Sequence, residues 1–187
     1  VWRRNPSSKV VYLAFDDGPI PECTPQVLDI LSQHGVKATF FMVGENAERY
    51  PELVARVRSE GHAVGNHTYH HLKGYKMCTQ YYLQDAQQAN DILHTHLFRP
   101  PHGRMKYSQK KKLRELGCTI YLWDVLTHDY NPCYSVEKML SVVKRCTRNG
   151  SIIVMHDSLK SKDRMLQLLP QMIDWLHAEG YKCETLP

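Results

Sequence analysis

The stretch "KVVYLAFDDGP", Lys9 to Pro19, is an unbroken apolar run that ends in two adjacent carboxylates and a Gly-Pro turn. Over Lys9 to Phe15 it is β-branched and apolar enough to read as a buried strand. Directly downstream, "TPQVLDILSQHG" (Thr24 to Gly35) reads as an amphipathic helix, with Thr24 as N-cap, Pro25 in the first turn and Gly35 at its end. The unit then recurs. "ATFFMV" (Ala38 to Val43) reads as a strand, and "ENAERYPELVARVRSEG" (Glu45 to Gly61) as a helix interrupted near Pro51.

Further strands are expected over His62 to Asn66, Leu97 to Pro100, Thr119 to Trp123 and Ser151 to Met155. Helices are expected near Leu83 to His94, Ser108 to Leu116, Ser135 to Thr147 and Arg164 to Glu179. About seven strands interleaved with helices predict an α/β fold with a parallel sheet, either an incomplete α/β barrel or a doubly wound open sheet. With 187 residues and no linker, repeat or low-complexity tract, the chain is expected to form one domain over 1–187.

Composition removes several function classes. A mean hydropathy of −0.48, with no apolar run near the roughly 18 residues of a membrane span, predicts a globular chain without a transmembrane segment. The net charge of +5 is scattered, and its one cluster, Gln109 to Glu115, reads as a solvated helix face, so no nucleic-acid partner is expected. The six cysteines are widely spaced with no C-x-x-C pair, and read as free or buried thiols. The opening "VWRRNPSSK" lacks the apolar core of a signal peptide, but its first residue is not Met, so the compartment stays open, the cytoplasm included. Nothing in the sequence fixes an oligomeric state.

The residues able to do chemistry fall just after the strands: Asp16 and Asp17, His67 to His71, Arg99 to Gly103, Trp123 to Tyr130, and His156 with Asp157. In a parallel α/β array the C-terminal strand ends open on one face, so one site can use all five segments. His67 and His71 lie four apart, which puts both imidazoles on one side if the stretch makes a helical turn. One carboxylate from the Asp16-Asp17 pair completes a His₂Asp set with open positions, suited to catalytic zinc and to cobalt, nickel or iron. His70 is a competing ligand.

Consecutive side chains of an extended segment point apart, so one aspartate can hold the metal while its neighbour faces the water the metal activates. Gly18-Pro19 then turns the backbone at the rim. His156 suits the opposite proton transfer, to a leaving group. Asp157 reads as a cap on the following segment. Arg99 in "RPPHG" can hold a carboxylate beside the site, and the turn backbone can donate to a developing oxyanion.

These motifs resemble the polysaccharide deacetylases of carbohydrate esterase family four, the NodB-homology domain, from about Val10 to the last strand. The family's Thr-Phe-Asp-Asp-Gly-Pro is matched by Ala14 to Pro19 with Ala14 changed, its His-Ser/Thr-x-x-x-His by His67, Thr68 and His71, its Arg-x-Pro-Tyr/His-Gly by Arg99 to Gly103, and its final motif by Val154 to His156. The resemblance implies a distorted, incomplete (β/α)7-type barrel with parallel strands. It implies Asp16 as general base, His156 as general acid, and Asp17, His67 and His71 as ligands of a divalent metal, Zn²⁺ first and Co²⁺ or Ni²⁺ as alternatives. Arg99, Pro101, His102, Gly103, Trp123, Asp124, Asp129 and Tyr130 are its substrate, oxyanion and supporting positions, with the His102 N–H facing the oxyanion.

The fourth motif departs. Where the family has Trp-x-x-Asp-x-x-Asp-Trp, this chain has Trp123, Leu126, Asp129 and Tyr130, with an added Asp124. The carboxylate that pairs with the arginine and tunes the acid histidine is therefore missing from its usual place, with Asp124 or Asp129 to replace it. The reaction implied is hydrolysis of the N-acetyl group of an N-acetylhexosamine glycan, peptidoglycan or chitin-like. An O-acetyl esterase of the xylan type and an inactive glycan-binding module are the alternatives. The resemblance also implies an extracytoplasmic or cell-envelope setting.

Overall fold

Every residue of β1 (Val10–Asp16) is buried, and the rest of the molecule is arranged around it. In the computed structural model, which describes residues 1–187, the other strands are β2 (Thr39–Met42), β3 (Ala63–Asn66), β4 (Leu97–Phe98), β5 (Thr119–Ile120), β6 (Val125–Leu126), β7 (Ile152–His156) and β8 (Lys182–Cys183). The helices are α1 (Thr24–Gln33), α2 (Gly44–Arg49), α3 (Pro51–Ser59), α4 (Thr79–Leu93), α5 (Tyr107–Glu115), α6 (Val136–Cys146) and α7 (Lys162–Ala178). The strands pair in the order β5-β4-β3-β2-β1-β7-β6, all parallel, with β8 added to the start of β1. β5 and β6 end the sheet without pairing to each other, so it curls into a half barrel carrying seven helices: the incomplete barrel, not the doubly wound sheet.

Side-chain alternation along β1 divides the core in two. Val11, Leu13 and Phe15 pack outward with Leu28 and Leu31 of α1 and with Leu168, Leu169 and Ile173 of α7. Val10, Tyr12 and Ala14 face the barrel interior with Phe41, Leu97, Tyr121, Ile152 and Leu186. This is the period of two that a strand imposes, with apolar side chains demanded on both faces. Each fully buried Leu, Ile or Phe contributes about 1.5–3 kcal/mol, so the strand is fixed from both sides.

The sequence expectations differ from the structure mainly at the short strands. β6 and β8 were not expected, and the strand expected over Thr119 to Trp123 stops at Ile120. Two-residue strands are too short to show a period. The strand expected to reach Pro100 ends at Phe98, because Pro100 and Pro101 have no N–H to donate. Thr24 is the first residue of α1 and not its N-cap; Cys23 takes that place. All six cysteines are free, and no helix is long and apolar enough to cross a membrane.

Candidate active site

Register brings the first two functional residues together: Asp16 of β1 is directly opposite His156 of β7, both at the C-terminal edge. Arg99, one residue past β4, crosses beneath them. Its Nη1 donates to Asp16 Oδ1 at 2.7 Å, its Nη2 to the Leu122 carbonyl at 3.1 Å and its Nε to the Tyr121 carbonyl at 3.3 Å. The guanidinium also stacks on the Phe41 ring, 4.0 Å from its centroid. Arg99 is wholly buried, so these acceptors replace its water. The carboxylate that Arg99 holds is thus Asp16 itself.

Asp17 turns the other way. Its backbone is left-handed (φ 81°), which carries its carboxylate away from Arg99 and towards the loop after β3. There its Oδ1 lies 3.2 Å from His71 Nε2 and 3.7 Å from His67 Nε2. Donor atoms of Asp17, His67 and His71 all lie within 4.8 Å of one another. The helical turn expected over His67 to His71 does not form, since Thr68 (φ 64°) and His71 (φ 53°) are both left-handed. The imidazoles converge through this twisted loop, their ring centroids 5.1 Å apart.

Such backbone costs about 1–3 kcal/mol per residue and persists only where its surroundings fix it. Here Asn66 Oδ1 accepts from the Thr68 N–H, and the buried Asp85 of α4 accepts from the N–H groups of Tyr69 and His70 and contacts His70 Nδ1. The start of α2 completes the support: Gly44 and Glu45 donate to the carbonyls of Thr68 and Tyr69, and Val43, just before the helix, donates to that of Gly18. His70 is thereby committed to Asp85 and does not compete as a ligand. Asp85 is missing from the sequence reading, although a carboxylate within the apolar stripe of an amphipathic helix, beside Tyr82 and Ala86, is a signal for it.

The histidines are electrostatically distinct. The Arg99 carbonyl accepts from His67 Nδ1 at 2.8 Å, which leaves the Nε2 lone pair free on the Asp17 side. Burial lowers the His67 pKa to about 4, so the ring is neutral at pH 7, as a metal ligand must be. For Asp17, burial acts to raise the pKa, but the His71 hydrogen bond, with the charges that His67 and His156 carry once both rings are protonated in acid, overcomes it and holds the carboxyl well below the usual range. His156 is the opposite case. Burial acts to lower its pKa, and the Asp129 hydrogen bond, with the charges of Asp129, Asp16 and Asp17, brings it up to about 9.

Asp129 holds His156 at two points. Its Oδ1 meets His156 Nδ1 at 2.8 Å and its Oδ2 accepts from the His156 N–H at 2.7 Å. Asp124, the other expected replacement, belongs elsewhere: its carboxylate accepts from Ser151 Oγ (3.0 Å), the Ile152 N–H (2.9 Å) and Arg148. The two are separated by β6. Asp124 precedes that strand and sits at the start of β7, whereas Asp129 follows it and sits where β7 ends.

The site opens into a pocket of about 530 Å³ lined by Asp16, Asp17, His67, His71, His102, Trp123, Leu126, Tyr130, His156, Ser158 and Lys160. His102 is left-handed (φ 59°) at the tip of the Pro101–Gly103 turn, and its N–H donates to no backbone carbonyl. Pro101 and Gly103, expected at the substrate, do not line the pocket but shape this turn. A Cβ on Gly103 would come within 2.7 Å of the Trp123 ring, so only glycine lets the indole lie there. Tyr130 stands edge-on to His156, ring centroids 5.1 Å apart.

Asp157 is not a helix cap. It is fully buried, accepts from Thr24 Oγ1 at 2.6 Å and packs so tightly beneath Gly18 that a Cβ there would overlap its carboxylate; burial pushes its pKa up to about 7. Ser158 and Lys160 are pocket residues that the sequence reading missed, and the segment directly after a catalytic strand end was the signal for them.

Residues 3–121 match the family model described as Polysaccharide deacetylase. The chain is 37% identical over 188 residues to a peptidoglycan-N-acetylglucosamine deacetylase of Bacillus cereus, covering 95% of this chain and 66% of that protein. It is 33% identical over 201 residues to a chitooligosaccharide deacetylase of Bradyrhizobium sp., covering 96% of this chain and 90% of that one. Among solved structures it superposes with a TM-score of 0.96 on a peptidoglycan N-acetylglucosamine deacetylase in complex with 4-naphthalen-1-yl-N-oxidanyl-benzamide, at 34% identity and covering 100% of this chain and 90% of that one. The chain belongs to the polysaccharide deacetylase family.

Proposed function

We propose that this member of the polysaccharide deacetylase family hydrolyses the N-acetyl group of an N-acetylhexosamine glycan of the peptidoglycan or chitin type, with residues 1–187 acting as one catalytic domain. The observation that carries this reading is the convergence of Asp17, His67 and His71 between two proton-transfer groups, Asp16 and His156, on the floor of one pocket. The donor set suits a divalent metal: one carboxylate, one imidazole whose free Nε2 is set by the Arg99 carbonyl, and a second imidazole 3.2 Å from the carboxylate. Zn²⁺ fits this set best, with Co²⁺ and Ni²⁺ as substitutes. When bound there, the ion polarises the acetyl carbonyl and lowers the pKa of a water to about 7.

The chain's own groups then divide the work. Asp16, anchored by Arg99 and 3.9 Å from His67 Nε2, takes the proton from the attacking water. The free N–H of His102 faces the oxygen on which negative charge develops. His156, kept protonated by Asp129, gives its proton to the departing amine, so that the products are acetate and a free amino sugar. Trp123, Leu126 and Tyr130 offer the flat apolar surface that a sugar ring packs against. Such polymers lie outside the plasma membrane, and the protein is proposed to act there.

The test is acetate release from N-acetylglucosamine oligomers and from O-acetylated xylan after chelation, with and without added Zn²⁺ or Co²⁺. Metal-restored release from the N-acetyl substrate supports the proposal. Release from the O-acetyl substrate alone makes the protein an esterase, and metal-independent release refutes the assigned role of Asp17, His67 and His71.

A further inference from the structure

We infer that Lys160 forms a specificity subsite for a carboxylate on the sugar next to the reacting one, so that the pocket selects an acidic glycan over a neutral one. The inference rests on the reading above that an N-acetylated glycan occupies the pocket. Three observations carry it.

Lys160 lines the pocket but makes no ion pair. The other charged residues there are already engaged: Asp16 by Arg99, and Asp17 by His67 and His71. Lys160 is the one cationic side chain facing this pocket without an anion.

Its place is at the mouth. Nζ lies over the Tyr130 ring, 5.7 Å from the centroid, and that ring stands between it and His156. With the Tyr130 ring touching both, the ammonium is set apart from His156, which assigns it to the neighbouring sugar and not to the acetyl being removed.

Its backbone is fixed to the reaction centre. Arg164 donates from Nη2 to the Lys160 carbonyl at 3.1 Å and from Nε to the carbonyl of Asp129, the partner of His156, at 2.9 Å. The loop that presents the ammonium is therefore tied to the loop that orients the proton donor.

The chemistry of the two glycan classes decides the direction. Chitin-like oligomers are uncharged, whereas a glycan that alternates N-acetylglucosamine with N-acetylmuramic acid carries a lactyl carboxylate on every second sugar wherever that carboxyl is not amide-linked to a peptide. A neutral chain laid across Lys160 offers the ammonium only uncharged hydroxyl and carbonyl oxygens in place of water, whereas an acidic chain supplies the missing counter-charge. Attraction to a carboxylate also raises the association rate at low ionic strength.

The test uses metal-loaded wild type, Lys160→Gln and Lys160→Glu on two tetramers, one of N-acetylglucosamine and one alternating it with N-acetylmuramic acid. Both kcat/KM and Kd are measured at low and high salt. The acidic-to-neutral ratio of kcat/KM is expected to fall about fivefold in Lys160→Gln and further in Lys160→Glu, as for one partly exposed ion pair. The wild-type ratio shrinks with salt and that of Lys160→Gln does not. A ratio equal in all three proteins overturns the subsite. If neither tetramer releases acetate from wild type, the deacetylase reading fails, and the same ratio taken from Kd decides whether Lys160 selects acidic chains.

Discussion

Arg99 and Asp16, 83 residues apart in sequence, form an ion pair of 2.7 Å in which Arg99 is wholly buried and Asp16 lies at the pocket floor. The pair aims one carboxylate oxygen and fills the remaining Arg99 donors with the Tyr121 and Leu122 carbonyls, so each partner depends on the other. Removing one member of such a pair leaves a buried charge without its counter-ion.

Arg99→Met is accordingly expected to cost about 3–5 kcal/mol of stability. Urea unfolding measures it. Metal stoichiometry should survive, because His67 is oriented by the Arg99 backbone carbonyl and not by its side chain. A variant as stable as wild type would mean that the pair contributes nothing net.

The adjacent aspartates should separate cleanly. Asp17→Ala is expected to lose bound metal and activity together. Asp16→Asn should keep the metal, by atomic absorption, while turnover falls by about 10²–10⁴, the range for a general base. Full metal occupancy in Asp17→Ala would remove that residue from the ligand set.

Asp129→Asn addresses the proton donor. As the proposed acid, His156 must be protonated, so activity is expected to fall as pH rises through its pKa, which Asp129 brings up to about 9. Without that negative charge, burial weighs more and the alkaline limb of the kcat/KM profile should move about one unit towards lower pH, since the amide that replaces the carboxylate can still accept from Nδ1 but carries no charge. Asp124→Asn, remote from the pocket, should leave the limb in place. Equal shifts in both variants would contradict the assignment.

Stability should also depend on pH through a residue with no part in catalysis. His62 is buried, its Nδ1 accepts from the Ala38 N–H at 3.1 Å, and burial lowers its pKa to about 4. The unfolded chain binds a proton here near pH 6.5 and the folded chain does not, so this contribution is complete above pH 6.5 and is lost as pH falls towards 4. Its size is up to about 3 kcal/mol. His62→Gln keeps an acceptor but does not titrate, and the slope of unfolding free energy against pH should flatten in that interval. An unchanged slope would assign the acid sensitivity to other groups.

How much of this was legible beforehand differs from residue to residue. Asp16, Asp17, His67, His71 and His156 stand out because each follows an apolar run, and strand ends converge wherever strands are parallel. The helical turn assumed for His67 to His71 was wrong in detail. Spacing alone does not reveal a left-handed Thr68, which is held by Asn66, Gly44 and Leu72 through contacts that no local pattern encodes.

Local pattern in the chain suffices for the alternation of strands and helices, the burial of β1 and the residue types gathered at the strand ends, because these depend on local period and on which side chains water excludes. Tertiary structure alone decided between Asp124 and Asp129, gave Arg99 to Asp16, committed His70 to Asp85 and turned Lys160 into the pocket. The cause is β6: two residues leave no period to read, yet the pairing of Val125 with Ile153 and Leu126 with Val154 puts one aspartate at the foot of β7 and the other at its C-terminal end, beside His156.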